Sequence, residues 1–325
     1  MTGIIDSFGR NITYLRISVT DRCNLRCIYC MPPEGVPQIS HSEVLSYEEI
    51  GTAVQAAGQL GINKVRLTGG EPLIRADLPK LVGMLSQIEG IDELSLTTNG
   101  TLLKKYAPDL KQAGLSRVNV SLDTLKADKF RDITHFGELK DVLEGIDAAK
   151  EAGFHPVKIN MVVMRGINDD EILDFARMTH NDGWHIRFIE LMPFKGVAEF
   201  TSTNELRQHI NSLGKLQSST SLTGNGPAIS YGLAGAEGTI GFISPLTEPT
   251  FCSRCNRMRL TPDGKLRPCL LGEDEIDLRS PLRNNVPMDR LKRLILQAVA
   301  SKPEHHPLIG DNFRLVNRKM SQIGG

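Results

Sequence analysis

The stretch SVTDRCNLRCIYCM holds Cys23, Cys27 and Cys30 in C-x3-C-x2-C spacing. That is half of the six cysteines in the chain; the other half, Cys252, Cys255 and Cys269, follow as C-x2-C-x13-C in FCSRCNRMRLTPDGKLRPCL. A structural zinc ion is held by four ligands and a disulfide joins two cysteines. Three thiolates suit a cubane iron–sulfur cluster with one iron left open to a small molecule. Two rival readings stay open. One is zinc on three cysteines and a histidine, with His41 after the first set and His305 or His306 after the second, although none has zinc-finger spacing. The other is unliganded core cysteines.

Between Cys255 and Cys269 lie Arg257 and Arg259. Residues two apart on a strand share a face, so both guanidinium groups should project together, either as a solvated basic face or as a clamp for phosphate oxygens. Arg16 and Lys158 sit inside runs that read as strands, where a buried cation is costly unless it meets a polar cavity. The paired glycines of TGGEP (68–72) allow close backbone approach, or mark an ordinary turn.

These residues need a scaffold. Six β-rich runs precede residue 195: YLRISVT (14–20), KVRLTG (64–69), ELSLTTN (93–99), RVNVSLD (117–123), VKINMVV (157–163) and HIRFIELM (185–192). Helix-like segments lie between them. Ser46 with Glu49 reads as a capping box, and Asn168 with Glu171 as a similar start. Gly61, Gly90, Gly114, Gly153 and Gly183 stand where left-handed helix ends are expected. The alternation argues for parallel βαβ units, either an open doubly wound sheet or an incomplete barrel, with function at the C-terminal strand ends. After about residue 195 the pattern changes. GTIGFISP reads as a strand, RMRLTPDGKLRPCL as a hairpin on a Pro-Asp-Gly turn, and MDRLKRLILQAV as an amphipathic helix. A domain boundary is expected at 195–240.

Lys plus Arg equals Asp plus Glu, 38 each in 325 residues, so no global charge favours nucleic acid or a membrane surface. No apolar run approaches the roughly 20 residues of a membrane span. The N-terminus lacks a secretory pattern, and a cytoplasmic protein is expected. There, cysteines serve as metal ligands or catalytic thiols more often than as disulfides.

C-x3-C-x2-C with Tyr29 just before the last cysteine resembles the signature of radical S-adenosylmethionine enzymes. The ordered set LRISVTDRCNLRCIYCMP, KVRLTGGEPLIR, LTTNG, VSLDTL, MRGINDDEI, FIELMPF and FCSRCNRMRLTPDGKLRPCL, ending in Gly324-Gly325, is similar nearly end to end to the GTP 3′,8-cyclase family of molybdenum cofactor biosynthesis. The resemblance implies an α/β fold: a partial (β/α)6 TIM-like barrel at 1–195 with the first [4Fe–4S] cluster, and a C-terminal α+β extension at 196–325 with a second. It implies cluster ligation by Cys23, Cys27 and Cys30, and by Cys252, Cys255 and Cys269. It implies S-adenosylmethionine contacts at Tyr29, Gly70, Ser121 and Met192. GTP contacts would fall on Arg16, Arg66, Thr97, Lys158, Arg257 and Arg259, with Arg257, Arg259, Gly324 and Gly325 taking part in catalysis. Read without the resemblance, Ser121 would be a helix cap, Met192 core, and Arg66 a partner of Glu71.

The implied reaction is cleavage of S-adenosylmethionine at the first cluster and removal of hydrogen from C3′ of GTP by the adenosyl radical. The carbon radical then attacks guanine C8, giving 3′,8-cyclo-7,8-dihydro-GTP, while the open iron of the second cluster binds the guanine. The implied partners are a cyclic pyranopterin monophosphate synthase as the next enzyme, an electron donor such as flavodoxin or ferredoxin, and a second copy in a homodimer. Met161 and Met258 depart from the family pattern without removing a ligand. The nearest alternative is a peptide-modifying radical enzyme with an auxiliary cluster. Such domains carry more cysteines and lack the arginine pair.

Overall fold

The structure, a computed structural model, describes residues 3–192, 200–219, 226–307 and 318–324. Six parallel strands form its centre: β1 (Tyr14–Ser18), β2 (Lys64–Thr68), β3 (Glu93–Thr98), β4 (Arg117–Ser121), β5 (Lys158–Val163) and β6 (His185–Glu190). All six lie within the expected runs. Helices Tyr47–Gln59, Leu78–Ser86, Leu103–Gln112, Leu139–Glu151 and Ile172–Asn181 return the chain between strands. One residue in two along each strand is apolar and fully buried, as with Ile17, Val65, Leu67, Leu96, Val118, Val120, Ile159 and Ile186. That set belongs to one continuous hydrophobic core with the helices. Met161 and Met258, the two departures from the family pattern, lie in this core.

The local signals explain the ends. Ser46 Oγ accepts from the Glu49 amide at 3.1 Å and Glu49 Oε2 from the Ser46 amide at 2.7 Å, which completes the expected capping box. Such a cap is worth about 1 kcal/mol. The five glycines expected at helix ends all have positive φ, as large as 102° at Gly114. Asn168 corrects the reading of a second capping box. Its Nδ2 donates to the carbonyls of Asp123 and Val162, and its Oδ1 accepts from the Met164 amide. Glu171 accepts from Thr124 Oγ1 and the Leu125 amide. Both side chains tie neighbouring loops together, and a 3₁₀ turn, Asp169–Glu171, precedes the helix.

The later chain adds to this sheet on both sides. Strand β7 (Ile240–Ile243) pairs parallel with β6, and β8 (Arg257–Leu260) pairs parallel with β1. Strand β9 (Lys265–Arg267) returns antiparallel to β8 across the expected turn, where Gly264 has a φ of 75°. The result is a twelve-stranded sheet whose outer strands, Ile276–Asp277 and Gln217–Ser218, do not pair with each other among the described residues. A partial barrel fits this open arrangement. The expected amphipathic helix forms at Met288–Ala300 and packs on Tyr47–Gln59. Among the described residues no helix is long and apolar enough to cross a membrane.

Candidate active site

The other residue in two along each strand faces a cavity of about 310 Å³. Register joins these residues into rows across the sheet. Arg259, Arg16 and Arg66 are successive partners on β8, β1 and β2; Arg257, Tyr14, Lys64 and Glu93 form the row before them. Thr97, Asn119 and Lys158 continue on β3, β4 and β5, and Ser121, Asn160 and Arg187 on β4, β5 and β6. A sheet buried by helices on one face is usually apolar on both. Here its second face is a belt of polar groups.

That belt is strongly cationic. Among the described residues nine arginine and lysine side chains line the cavity against three carboxylates, Glu71, Glu93 and Asp123. Burial also pushes two of those carboxylates up, Glu71 to about 7 and Asp123 to about 6. The cations press on each other. Burial first, then Arg187, Arg117 and Arg66, bring Lys158 down to about 7. Burial and Arg66 bring Arg187 down to about 10, and burial with Arg16 and Arg257 holds Arg259 well below its usual range. Two unit charges ~4 Å apart at an effective dielectric of ~20 interact by about 4 kcal/mol, so a polyanion in this space would gain several such terms.

Arg66 does not pair with Glu71. Its Nε donates to the Tyr14 hydroxyl and its Nη1 to Thr97 Oγ1 at 3.2 Å. Glu71 instead accepts from the Leu73 amide, Thr98 Oγ1 and the Asn99 amide. Asn99 reaches Asn24 Oδ1 at 2.9 Å. This ties the loop after β3 to the segment carrying the first triad.

The first triad lies at one part of the cavity, in acidic and apolar surroundings. Burial pushes Cys23 up to about 11, Cys30 to about 12, and Cys27 well above its ordinary value. Tyr29 donates to Asp123 Oδ2 at 2.8 Å, and Asp123 Oδ1 accepts from the Val162 amide. The glycines of TGGEP lie against the same segment. A Cβ at Gly70 would sit 2.2 Å from the Arg22 carbonyl oxygen, which explains why that position needs glycine. Ser121 and Met192 line the cavity rather than capping a helix or joining the core.

The second triad lines the same cavity in a cationic setting. Burial would raise the Cys255 thiol, but Arg257 and Lys302 outweigh it and bring it down to about 6. Arg257 Nη2 reaches the sulfur at 3.5 Å. All six cysteines are free, and among the described residues no His, Cys, Asp or Glu group could hold a lone metal ion. A cluster differs, because its own irons and sulfides fill the space between thiolates. Two sets of three thiols around a cavity are a donor set that fits iron–sulfur clusters.

The segment 318–324 reaches the site. Arg259 Nη1 donates to the Gly324 carbonyl, and the Ser321 amide donates to the Cys30 sulfur. A Cβ on Gly324 would meet Thr68 at 2.8 Å and Ser18 at 3.0 Å. Gly325 lies outside the described residues. The six cysteines and every other expected S-adenosylmethionine and GTP residue line this one cavity, Gly324 touches it through Arg259, and of the histidines considered for zinc only His306 lines it, not His41 or His305. Sequence reading missed Lys64, Arg117, Asn119, Asn160 and Arg187, which line it too. Among the described residues the buried side-chain oxygens of Asn119 and Asn160 have no hydrogen-bond partner. The signal for all five was the polar residue recurring at every second position of the strand runs.

Comparison with known proteins agrees with this architecture. Residues 17–179 match the Radical SAM superfamily model, and residues 184–308 match Molybdenum Cofactor Synthesis C. A GTP 3′,8-cyclase of Desulforamulus reducens is 51% identical over 99% of this chain and 100% of its own length. Another, of Moorella thermoacetica, is 50% identical over 98% and 99%. The crystal structure of Streptococcus suis SuiB bound to S-adenosylmethionine is similar in fold, with TM-score 0.61 and 15% identity over 88% of this chain and 68% of that one.

Proposed function

Because this chain belongs to the radical S-adenosylmethionine superfamily and within it to the GTP 3′,8-cyclase family, we propose that its cavity divides the work of that reaction between two cysteine triads and a cationic belt between them. The enzyme is a GTP 3′,8-cyclase of molybdenum cofactor biosynthesis. Its cofactors are S-adenosylmethionine and two [4Fe–4S] clusters. The observation that carries the division is that both triads and the belt line one cavity.

When bound, the first cluster and S-adenosylmethionine supply the hydrogen-abstracting chemistry. The rest falls to the chain. Cys23, Cys27 and Cys30 hold the first cluster, with Tyr29, Gly70, Ser121 and Met192 around S-adenosylmethionine. Cys252, Cys255 and Cys269 would hold the second cluster, which would supply the binding site for the guanine base. Arg16, Arg66, Thr97, Lys158, Arg257 and Arg259 bind GTP, with the cations neutralising the triphosphate. This fixes the ribose between the two metal sites and keeps water away from a reactive carbon centre. Arg257 and Arg259 join both tasks, Gly324 borders the site at Arg259, Ser18 and Thr68, and Gly324 and Gly325 take part in catalysis. Residues 1–195 thus carry the first cluster and four of the GTP contacts, and 196–325 the second cluster, the arginine pair and the Gly-Gly tail. The excess of cations favours a nucleotide over a peptide in this space.

The product passes to a cyclic pyranopterin monophosphate synthase in the cytoplasm. Electrons come from a flavodoxin- or ferredoxin-like donor, and the enzyme acts as a homodimer.

Lys158 gives a test of the GTP site. Its value near 7 in the free site lies below the ordinary ~10.4 of lysine. A bound polyanion favours the ammonium and raises that value. Above pH ~7 GTP must therefore bind with uptake of a proton, and affinity falls as pH rises, by at most about tenfold per unit. Below that pH the proton is already present and the Lys158 contribution is flat. Calorimetry of GTP binding to the cluster-loaded enzyme in buffers of different ionisation heat should show this uptake. Lys158→Met should remove it. Equal affinity at all pH values above neutrality in the parent enzyme would contradict the assignment.

A further inference from the structure

Residues 302–306 cross the second triad and tie each of its arms. Lys302 is 3% exposed, and its Nζ donates to the carbonyls of Arg257 at 2.9 Å and Pro268 at 2.5 Å. Arg257 is two residues past Cys255, and Pro268 directly precedes Cys269. Arg10, held by Asp6 at 2.6 Å, donates to the carbonyls of Cys252, Pro303 and Glu304. The His306 amide donates to the Cys252 sulfur, and its ring Nε2 lies 2.7 Å from the Pro245 carbonyl oxygen.

Lys302 stands out within this strap. Both of its acceptors are neutral carbonyls, yet burying an ammonium costs several kcal/mol unless an opposite charge compensates it. Leucine or methionine would fill the same space without that cost. The cations at Arg257 and Arg259 face the substrate space, where a triphosphate would neutralise them. Lys302 also borders the cavity, but its ammonium is spent on the backbone of the two arms that carry Cys255 and Cys269. A cluster on three thiolates carries net negative charge, which grows by one on reduction.

We propose that Lys302 is a positioning residue of the second cluster: its buried ammonium locks the Cys255 and Cys269 arms together and is the fixed counter-charge that favours the reduced cluster. The inference rests on the reading that the second triad holds an iron–sulfur cluster. The first triad lies beside Glu71 and Asp123, and the cation in its hydrogen-bond network, Arg26, which donates to the Cys23 carbonyl at 2.6 Å, is only half-buried, so the two sites should differ in redox poise.

The test uses full-length protein with Cys23, Cys27 and Cys30 replaced by serine, so that only the second cluster remains. Lys302→Gln and Lys302→Arg are made in this parent, and iron content and midpoint potential are measured anaerobically. The Gln variant should bind iron like the parent but be about tenfold harder to reduce, a midpoint about 59 mV more negative for one electron. The Arg variant should stay within about threefold of the parent. Loss of iron from Gln alone, with Arg loaded and at the parent potential, supports the same role. An unchanged potential in a loaded Gln variant would overturn it, as would an Arg variant that departs as far as Gln or that also loses iron. A parent without iron would remove the cluster reading itself, and the proposal with it.

Discussion

Arg259→Ala is expected to abolish cyclisation while leaving cleavage of S-adenosylmethionine in place. Arg259 lies in the row with Arg16, beside the second triad, and touches the Gly324 carbonyl. Removing one member of a buried, hydrogen-bonded charge pair costs about 3–5 kcal/mol. At about 1.4 kcal/mol per tenfold, that is a loss of roughly 10² to 4 × 10³ in kcat/KM for GTP. Arg259→Lys keeps the charge but not the fork, and should fall between the two. Misfolding would not mimic this result. In the free protein Arg259 is opposed by Arg16 and Arg257, so the alanine variant should melt no lower than the parent. A clear drop in Tm together with loss of iron would show a structural role instead.

Deleting Gly324 and Gly325 should leave both clusters bound and yet abolish cyclisation. The segment before them has anchors of its own. Arg318 pairs with Asp263 at 2.9 Å and with Glu275 at 2.6 Å, and Ser321 and Ile323 are buried. The truncated chain therefore keeps its anchor and loses the part of the wall between Ser18, Thr68 and Arg259. Iron content and 5′-deoxyadenosine formation should match the parent, and the cyclised product should be absent. Turnover at the parent rate would exclude a catalytic part for the tail. Gly324→Ala is a milder form of the test. It adds a Cβ 2.8 Å from Thr68 at a φ of 75°, so activity should drop with both anchoring ion pairs intact.

Much of this site was legible before any coordinates. Both triads were visible as spacing, and Arg16 and Lys158 as cations placed where strands should be buried. The belt was only half read. The runs YLRIS, KVRLT, ELSLTT, RVNVS, KINMVV and HIRFIE all alternate, but each by itself looks like a half-solvated strand. What makes Arg187 or Asn119 a site residue is that neighbouring strands align their polar positions into rows, and register between strands is not written in any one of them. The strap at Lys302 was hidden for a related reason. Arg10 meets Glu304 across 294 residues of sequence, and no local pattern announces such a contact. Of the two readings open for the glycines of TGGEP, close backbone approach is the one the structure shows. What approaches Gly70 in the structure is the backbone of Asp21 and Arg22, so the motif also packs the cysteine segment into place. The alternative pairing of Arg66 with Glu71 fails because Arg66 bonds Tyr14 and Thr97 on the neighbouring strands, while Glu71 is filled by Leu73, Thr98 and Asn99.

The measurement that tests the central claim most directly is an anaerobic incubation of the reconstituted enzyme with S-adenosylmethionine, dithionite and GTP, read by mass spectrometry. The account predicts 5′-deoxyadenosine together with an isomer of GTP: the ribose loses one hydrogen at C3′, and the cyclised guanine regains one as an electron and a proton. 5′-Deoxyadenosine formed while GTP stays intact would contradict the assignment of the cationic belt and return the peptide-modifying reading. No 5′-deoxyadenosine from protein that contains iron and sulfide would contradict the reading of Cys23, Cys27 and Cys30 themselves.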